Sequence, residues 1–336
     1  MTEQDRILWL SRDDVRRAGG GDPQLAVPLI EGALVAHAAG ESCQPLKPYL
    51  RIPNDPDARR IIAMPAYLGG EFQTWGMKWI ASAPRNSLER GMERASALVI
   101  LNDLETGRPV AMMEGALISA TRTAAVALVA SKRLIRPGAR SLAVIGNGMI
   151  GELICRSLLR LHPELDTVRL YDHDADRSRA FGEGLAADHD VSWQSTADAE
   201  SAVRGSDVVV TATTAAEGYM EGSWFAPGSL FLNVSLRDPN PSVVRETDKL
   251  VVDDWDQVNR SMTIVHRMTE SGELDRSGLH AELHELISGT RPGRESDDER
   301  IVVCPMGLSI EDVVTAWGVY NRAREAGYGQ SLPLFG

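Results

Sequence analysis

Between Tyr49 and Met113, apolar residues come in short extended runs: Tyr49-Leu50-Arg51-Ile52, Arg60 to Pro65, Gly76 to Ile80, Ala97 to Asp103 and Pro109 to Met113. Gly69-Gly70 and Glu105-Thr106-Gly107-Arg108 read as turns between them, so this stretch is expected to form a mostly antiparallel sheet. Ahead of it, Asp13 to Arg17 reads as a short helix, and Asp22 to Ala39 as an apolar-faced one opened by Asp22-Pro23. Beyond it the pattern changes. Thr123 to Leu134 is an Ala/Val-rich helix ended by Pro137-Gly138. Strands over Ser141–Ile145, Thr167–Asp172, Asp207–Thr211 and Leu230–Val234 then alternate with helices such as Glu152–Leu161 and Asp174–Ala187. That alternation is the mark of βαβ units and a parallel sheet. Thr290 to Arg300 is a solvated loop, followed by a strand at Ile301–Cys304 and a helix over Ser309–Glu325 that is expected to pack back on the first region.

The order predicts an α/β chain of two domains, because single cores stop growing at about 250–300 residues. A Rossmann-type, doubly wound parallel sheet over 123–304 is inserted into a second, α+β domain made of 1–122 and 305–336.

Composition narrows the function. With 43% apolar and 24% charged residues the chain is ordinary for a globular protein, and no run approaches the roughly 18 apolar residues of a membrane span. The stretch Met1 to Leu10, with Glu3, Asp5 and Arg6, lacks the basic start and apolar core of a signal peptide, so a cytoplasmic protein is expected. Cys43, Cys155 and Cys304 are few and scattered, which argues against a disulfide framework or a cysteine-based zinc site. The net charge of −12, without a Lys/Arg-rich run, argues against nucleic acid as partner. It also means that a carboxylate substrate must be held by specific local cations.

Gly146-Asn147-Gly148-Met149-Ile150-Gly151 is a complete G-x-G-x-x-G that follows an apolar strand and opens a helix. Gly146 allows the tight turn, Gly148 the approach of backbone to pyrophosphate, and Gly151 close helix–sheet packing. The helix N-terminus offers free N–H groups to the phosphates. Asp172, at the end of the next strand, is positioned to accept the ribose hydroxyls and to repel a 2′-phosphate, so the expected cofactor is NAD. The expected cofactor contacts are Gly146, Asn147, Gly148, Met149, Ile150, Asp172, His173, Thr211, Thr213 and Ser235.

Hydride transfer at an amino-acid carbon needs cations for carboxylate and a proton-transfer group. Lys78 sits inside the apolar run Met77-Lys78-Trp79-Ile80, a costly place unless it faces a ligand; otherwise it is a snorkelling edge lysine. Arg122 stands at the start of the Ala-rich helix, where the dipole disfavours a cation and an anionic ligand would relieve it; otherwise it is a surface arginine. Asp238, in Ser235-Leu236-Arg237-Asp238-Pro239 after a parallel strand, is the candidate acid/base, or else an ordinary turn aspartate. His280 and His284 stand at i, i+4 without the HExxH order, so no metal site is expected.

These features together resemble the ornithine cyclodeaminase/μ-crystallin superfamily. The likeness rests on Met64-Pro65, Lys78, Asn102-Asp103 with Gly107, Ala120-Thr121-Arg122-Thr123-Ala124-Ala125, Ile145-Gly146-Asn147-Gly148, Asp172 and Asp238. It implies carboxylate binding by Arg51, Lys78 and Arg122, with Met64 and Arg237 also in the substrate site. It further implies an acid/base or water-activating role for Asp238 and a homodimer built through the non-Rossmann domain. Ile62 stands where ornithine cyclodeaminases carry a glutamate, which removes a partner for ornithine's side-chain amine. Arg60 to Ala66, Gly76 to Ser82, Ser235 to Asp238 and Gly289 to Arg294 are similar to another branch, the dehydrogenases that release 2,3-diaminopropionate in siderophore and peptide-antibiotic biosynthesis. Ala83 replaces the aromatic residue of that branch. The branch implies NAD-dependent oxidation of N-(2-amino-2-carboxyethyl)-L-glutamate to an imine, which water cleaves to 2-oxoglutarate and L-2,3-diaminopropionate. Its three carboxylates suit the further arginines Arg85 and Arg237. An imine (ketimine) reductase, an amino-acid dehydrogenase, a cyclodeaminase and a non-enzymatic dinucleotide binder remain the alternatives.

Overall fold

A computed structural model of the protein describes residues 5–260 and 263–334. Glu3, used above in reading the N-terminus, lies outside the described residues. The chain divides into two compact units, Met1–Arg122 with Leu308–Gly336, and Thr123–Gly307.

In the first unit the alternating runs form strands β1 (Arg6–Leu10), β2 (Ser42–Cys43), β3 (Tyr49–Arg51), β4 (Arg60–Leu68), β5 (Thr74–Ser82), β6 (Ala95–Asn102) and β7 (Pro109–Glu114). Helices α1 (Arg12–Arg17), α2 (Pro23–Ala38) and α3 (Asn86–Glu89) accompany them. Asp22 caps α2 and Pro23 opens it, as the dipeptide leads one to expect.

Helix α4 runs from Ala116 to Leu134 and carries the boundary between the units. It starts at Ala116 rather than Thr123, because the Glu114 carboxylate accepts the N–H groups of Ala116 and Leu117. Arg122 therefore lies well inside the helix, and the dipole argument for a ligand beside it falls away.

The second unit contains β8 (Ser141–Ile145), β9 (Thr167–Tyr171), β10 (Ser192–Ser195), β11 (Val208–Thr211), β12 (Leu230–Asn233), β13 (Lys249–Val252), β14 (Ala281–Glu282) and β15 (Ile301–Cys304). Its helices are α5 (Met149–Leu161), α6 (Ala175–Asp188), α7 (Ala199–Val203), α8 (Pro241–Arg245), α9 (Trp255–Val258), α10 (Ile264–Glu270) and α11 (Leu283–Ser288). The chain returns to the first unit as α12 (Ser309–Ala326) and β16 (Gln330–Pro333). It leaves the second unit after Gly307 rather than after Cys304, since buried Asp253 accepts the N–H groups of Met306 and Gly307 and holds that turn to the parallel sheet.

The first unit's sheet has the order β16-β1-β7-β6-β5-β4-β2, with β3 beside β4, and is antiparallel except where β1 meets β7. Helix α12 lies over β4, β5 and β6 and against α2. Beneath it the sheet presents Met64, Ala66, Leu68, Val99 and Leu101, all buried. The pleat turns Ala63, Pro65 and Tyr67 of β4, and Trp75, Met77 and Trp79 of β5, to the opposite face. An antiparallel sheet with one wet face normally puts polar residues there. This one is apolar on both faces, with Trp75 38% and Trp79 43% exposed.

The second unit's sheet is parallel throughout, in the order β10-β9-β8-β11-β12-β15-β13-β14. The order reverses between β8 and β11, which is the topological switch point where doubly wound sheets bind ligands. Its central strands are buried on both faces, as their unbroken apolar runs predict. Among the described residues no helix is long and apolar enough to cross a membrane.

Candidate active site

The Gly146 turn leaves the switch point of the second unit. Gly146 has φ +90°, and a Cβ there would sit 2.7 Å from the Ala212 carbonyl oxygen, so only glycine fits. A Cβ on Gly151 would lie 2.1 Å from the Gly146 carbonyl oxygen, which is the close helix–strand approach expected of it. Gly148 is different: open space surrounds the position of its missing Cβ, and as the first residue of the α5 cap it offers no side-chain bond to the helix N–H groups. The floor is bare and the α5 N-terminus uncapped, which fits a pyrophosphate. The buried Asn147 side chain pins the turn from below, donating to Val144 O (3.1 Å) and accepting from Ser178 Oγ (2.8 Å). The Asp172 carboxylate accepts from Asn147 N (2.8 Å) and Asp174 N (3.0 Å), leaving lone pairs on both oxygens for ribose hydroxyls. His173 beside it is exposed, its ring edge-on to Tyr171.

Loops from β11 and β12 build a second feature in the same unit. Asp238 is fully buried. Its Oδ1 accepts from Thr213 Oγ1 (2.5 Å) and Tyr219 Oη (3.0 Å), while Oδ2 has no hydrogen-bond partner among the described residues. The nearby Ser235 Oγ is likewise buried without a partner. An unpaired buried carboxylate oxygen is costly, and a bound N–H or O–H donor would offset that cost. Burial and the neighbouring Asp238 charge push the Tyr219 hydroxyl well above its ordinary range, so it remains a donor.

The first unit buries a cluster of charges. Lys78 of β5 is 1% exposed, and its Nζ lies 2.7 Å from Asp312 Oδ1 and 3.1 Å from Ser119 Oγ. Arg122 of α4 also reaches Asp312 Oδ1 through Nε (2.9 Å) and Glu311 through NH1 (3.2 Å). Asp312 and Glu311 belong to the first turn of α12, where the helix dipole favours carboxylates. Lys47, 2% exposed, is near enough to act electrostatically on Lys78. Burial lowers Lys78 to about 7; Asp312 opposes the shift, and the positive charges of Arg122 and Lys47 reinforce it. Met64 is opposite Lys78 in the β4–β5 register and shares its buried face.

Other expected site residues lie differently. Arg51 is exposed, with its guanidinium 5.1 Å above the Tyr49 ring, and among the described residues the buried cations of this unit are Lys47, Lys78 and Arg122. Arg85 is on the surface, paired with Asp57 and Glu89. Arg237 donates to the Ala216 carbonyl (3.1 Å). Thr211 is buried and donates to Asn233 Oδ1 (3.0 Å). Met149 is exposed at the α5 entrance and Ile150 is half-buried. Sequence reasoning missed Lys47, Tyr219, Glu311 and Asp312. Glu311-Asp312 after Ser309 did carry a signal, that of acidic residues opening a helix, but not their partners.

A family model described as the ornithine cyclodeaminase/mu-crystallin family matches residues 21–327. The chain is 40% identical over 334 residues to the N-((2S)-2-amino-2-carboxyethyl)-L-glutamate dehydrogenase of Staphylococcus aureus (strain NCTC 8325 / PS 47), covering 98% of this chain and 99% of the relative. Among solved structures, the Thermococcus litoralis Delta(1)-pyrroline-2-carboxylate reductase in complex with NADH and L-proline superposes with a TM-score of 0.90 at 29% identity, over 96% of this chain and 99% of that one. An archaeal alanine dehydrogenase dimer with bound NAD superposes with a TM-score of 0.89 at 28% identity, over 98% and 100%.

The charge cluster has a pH signature. Lys78 titrates near 7 when folded and near its ordinary 10.5 when unfolded. The unfolded chain therefore binds more protons between those values, and stability rises with pH across that window. Relative to Lys78→Met, the wild-type unfolding free energy from urea titration is expected to climb from pH 7 to pH 10, by no more than about 1.4 kcal/mol per pH unit. A pH-independent difference would mean that Asp312 keeps Lys78 charged throughout. Asp312→Ala, which strands two cations, is expected to cost about 3–5 kcal/mol in the same measurement.

Proposed function

This chain belongs to the ornithine cyclodeaminase/mu-crystallin family, and we propose that within it the chain is an NAD-dependent oxidoreductase of N-(2-amino-2-carboxyethyl)-L-glutamate, releasing L-2,3-diaminopropionate and 2-oxoglutarate. The observation that carries the chemistry is the buried Asp238 oxygen left without a partner beside the switch point. The near-full-length likeness to a dehydrogenase named for that substrate supports the choice of amine.

When bound, NAD⁺ supplies the acceptor for a hydride from the glutamate α-carbon. The protein's part is to bind, orient and move protons. Gly146, Asn147, Gly148, Met149 and Ile150 form the bed for the pyrophosphate, and Asp172 takes the ribose hydroxyls. His173, Thr213 and Ser235 line the rim of the same strand ends. Lys78 and Arg122 hold substrate carboxylate beside Met64, with Arg51 and Arg237 as further cations for a substrate bearing three carboxylates. Asp238 Oδ2 takes the proton from the secondary ammonium, freeing the nitrogen lone pair to form the C=N bond as hydride leaves. Once that proton has passed to solvent, the same oxygen removes a proton from the water that adds to the imine carbon. The C–N bond breaks when that proton returns to the departing nitrogen. One NAD⁺ and one water are consumed, and one NADH, one proton, 2-oxoglutarate and 2,3-diaminopropionate are formed.

The functional form is a homodimer. The apolar outer face of the first unit's sheet, with Trp75 and Trp79, is the surface for a second copy, since contiguous exposed apolar area on a folded protein marks an interface.

Purified protein with NAD⁺ and N-(2-amino-2-carboxyethyl)-L-glutamate is expected to show NADH absorbance rising in step with 2,3-diaminopropionate detected by mass. Absence of NADH, together with oxidation of supplied NADH by cyclic imines, would move the protein to the imine reductases. Asp172→Ala is expected to weaken NAD binding by about 10-fold or more and to relax discrimination against NADP; an unchanged preference would remove the ribose role of Asp172. Trp79→Asp is expected to convert a native mass of twice 36.6 kDa to the single-chain value in light scattering, and a wild-type monomer would overturn the dimer.

A further inference from the structure

The Asp238 carboxylate is held asymmetrically. Two hydroxyls donate to one oxygen and none to the other among the described residues. Both donors are themselves fixed. Thr213 Oγ1 accepts from Ala215 N (3.1 Å), which uses a lone pair on the hydroxyl oxygen and leaves its proton directed at Asp238. Tyr219 is bound to the same residue through the main chain, since Tyr219 N (2.9 Å) and Met220 N (3.0 Å) both donate to the Asp238 carbonyl. Asn240 N returns a bond to Met220 O (2.9 Å), Met220 bridges Pro239, and the Met220 side chain is buried in the core. The loops after β11 and β12 are thereby strapped together around a single carboxylate.

We infer that Thr213 and Tyr219 are positioning residues that saturate Asp238 Oδ1 with donated hydrogen bonds and so restrict proton exchange to Oδ2. An oxygen that already accepts two O–H groups is a poor site for a further proton, because a proton there would displace one donor. The other oxygen is left open to a proton in a fixed direction. Proton transfer is sensitive to this, since displacement of a reacting group by about 1 Å can cost about 100-fold in rate. The role assigned to Thr213 here is distinct from a cofactor contact, and Tyr219 enters the site on geometry alone. The inference rests on the acid/base reading of Asp238.

The test uses the full-length enzyme and compares Tyr219→Phe, Thr213→Val, Thr213→Ser and Asp238→Asn with the wild type. NADH formation from N-(2-amino-2-carboxyethyl)-L-glutamate is followed, and NADH binding by fluorescence. The same set is run with NADH and a cyclic imine carboxylate, so that a wrong amine does not hide an effect. Tyr219→Phe keeps the ring, and Thr213→Ser keeps the hydroxyl. We expect Tyr219→Phe and Thr213→Val each to lower kcat about 10- to 100-fold. KM and the NADH Kd should stay within about twofold, and Thr213→Ser should recover most of the rate. Wild-type kcat in Tyr219→Phe beside an inactive Asp238→Asn overturns this inference and leaves the Asp238 role standing. Parallel loss of NADH binding and kcat in Tyr219→Phe also overturns it, because the residue would then be structural. An active Asp238→Asn overturns the acid/base reading on which it rests.

Discussion

Asp312 Oδ1 accepts from both Lys78 and Arg122, and this one oxygen is what allows two basic side chains inside the apolar interior of the first unit. Ions buried singly cost several kcal/mol each even after relaxation, so neither cation would persist there unpaired. The carboxylate is in turn stabilised by its place in the first turn of α12, whose N-terminal N–H groups at Ser309 and Ile310 are bonded by Gln44 Oε1. Thus α12 docks on its sheet by two means at once, an apolar face against β4–β6 and an acidic end against β5 and α4.

The second unit is governed by space rather than charge. Gly146 and Gly151 each occupy a position where a methyl group would collide with backbone, and these collisions set how tightly α5 meets β8. That closeness aims the α5 N-terminus at the switch point. The Asp238 loop comes from the neighbouring side of the same switch, beyond β11 and β12, so the glycine turn and the buried carboxylate arise from one reversal of strand order.

Much of this was readable in the sequence wherever a local rule applies. Parallel strands announced themselves as unbroken apolar runs, hairpins as alternation with glycine turns, and the nucleotide bed as three glycines between strand and helix. What escaped depends on partners far along the chain. Strand β16 pairs with β1 across 325 positions, and neither run alone is long or regular enough to declare itself. Lys78 stood out as a charge in an apolar strand, yet nothing local named Asp312, 234 positions away, as its partner. Arg122 was singled out on a helix-end argument that fails, because Glu114 starts the helix earlier; its importance rests instead on Asp312 and Glu311. Tyr219 lay in a loop with no periodic signal, and only the fold shows that its hydroxyl meets Asp238.

The first unit is made from two stretches separated by the whole of the second. A ribosome therefore releases Lys78 and Arg122 long before the carboxylate that neutralises them, while the intervening parallel sheet, being contiguous, is free to fold as it emerges. Closure of the first unit waits on α12. A chain interrupted before Asp312 would carry those two basic side chains into an interior without its anchoring acid.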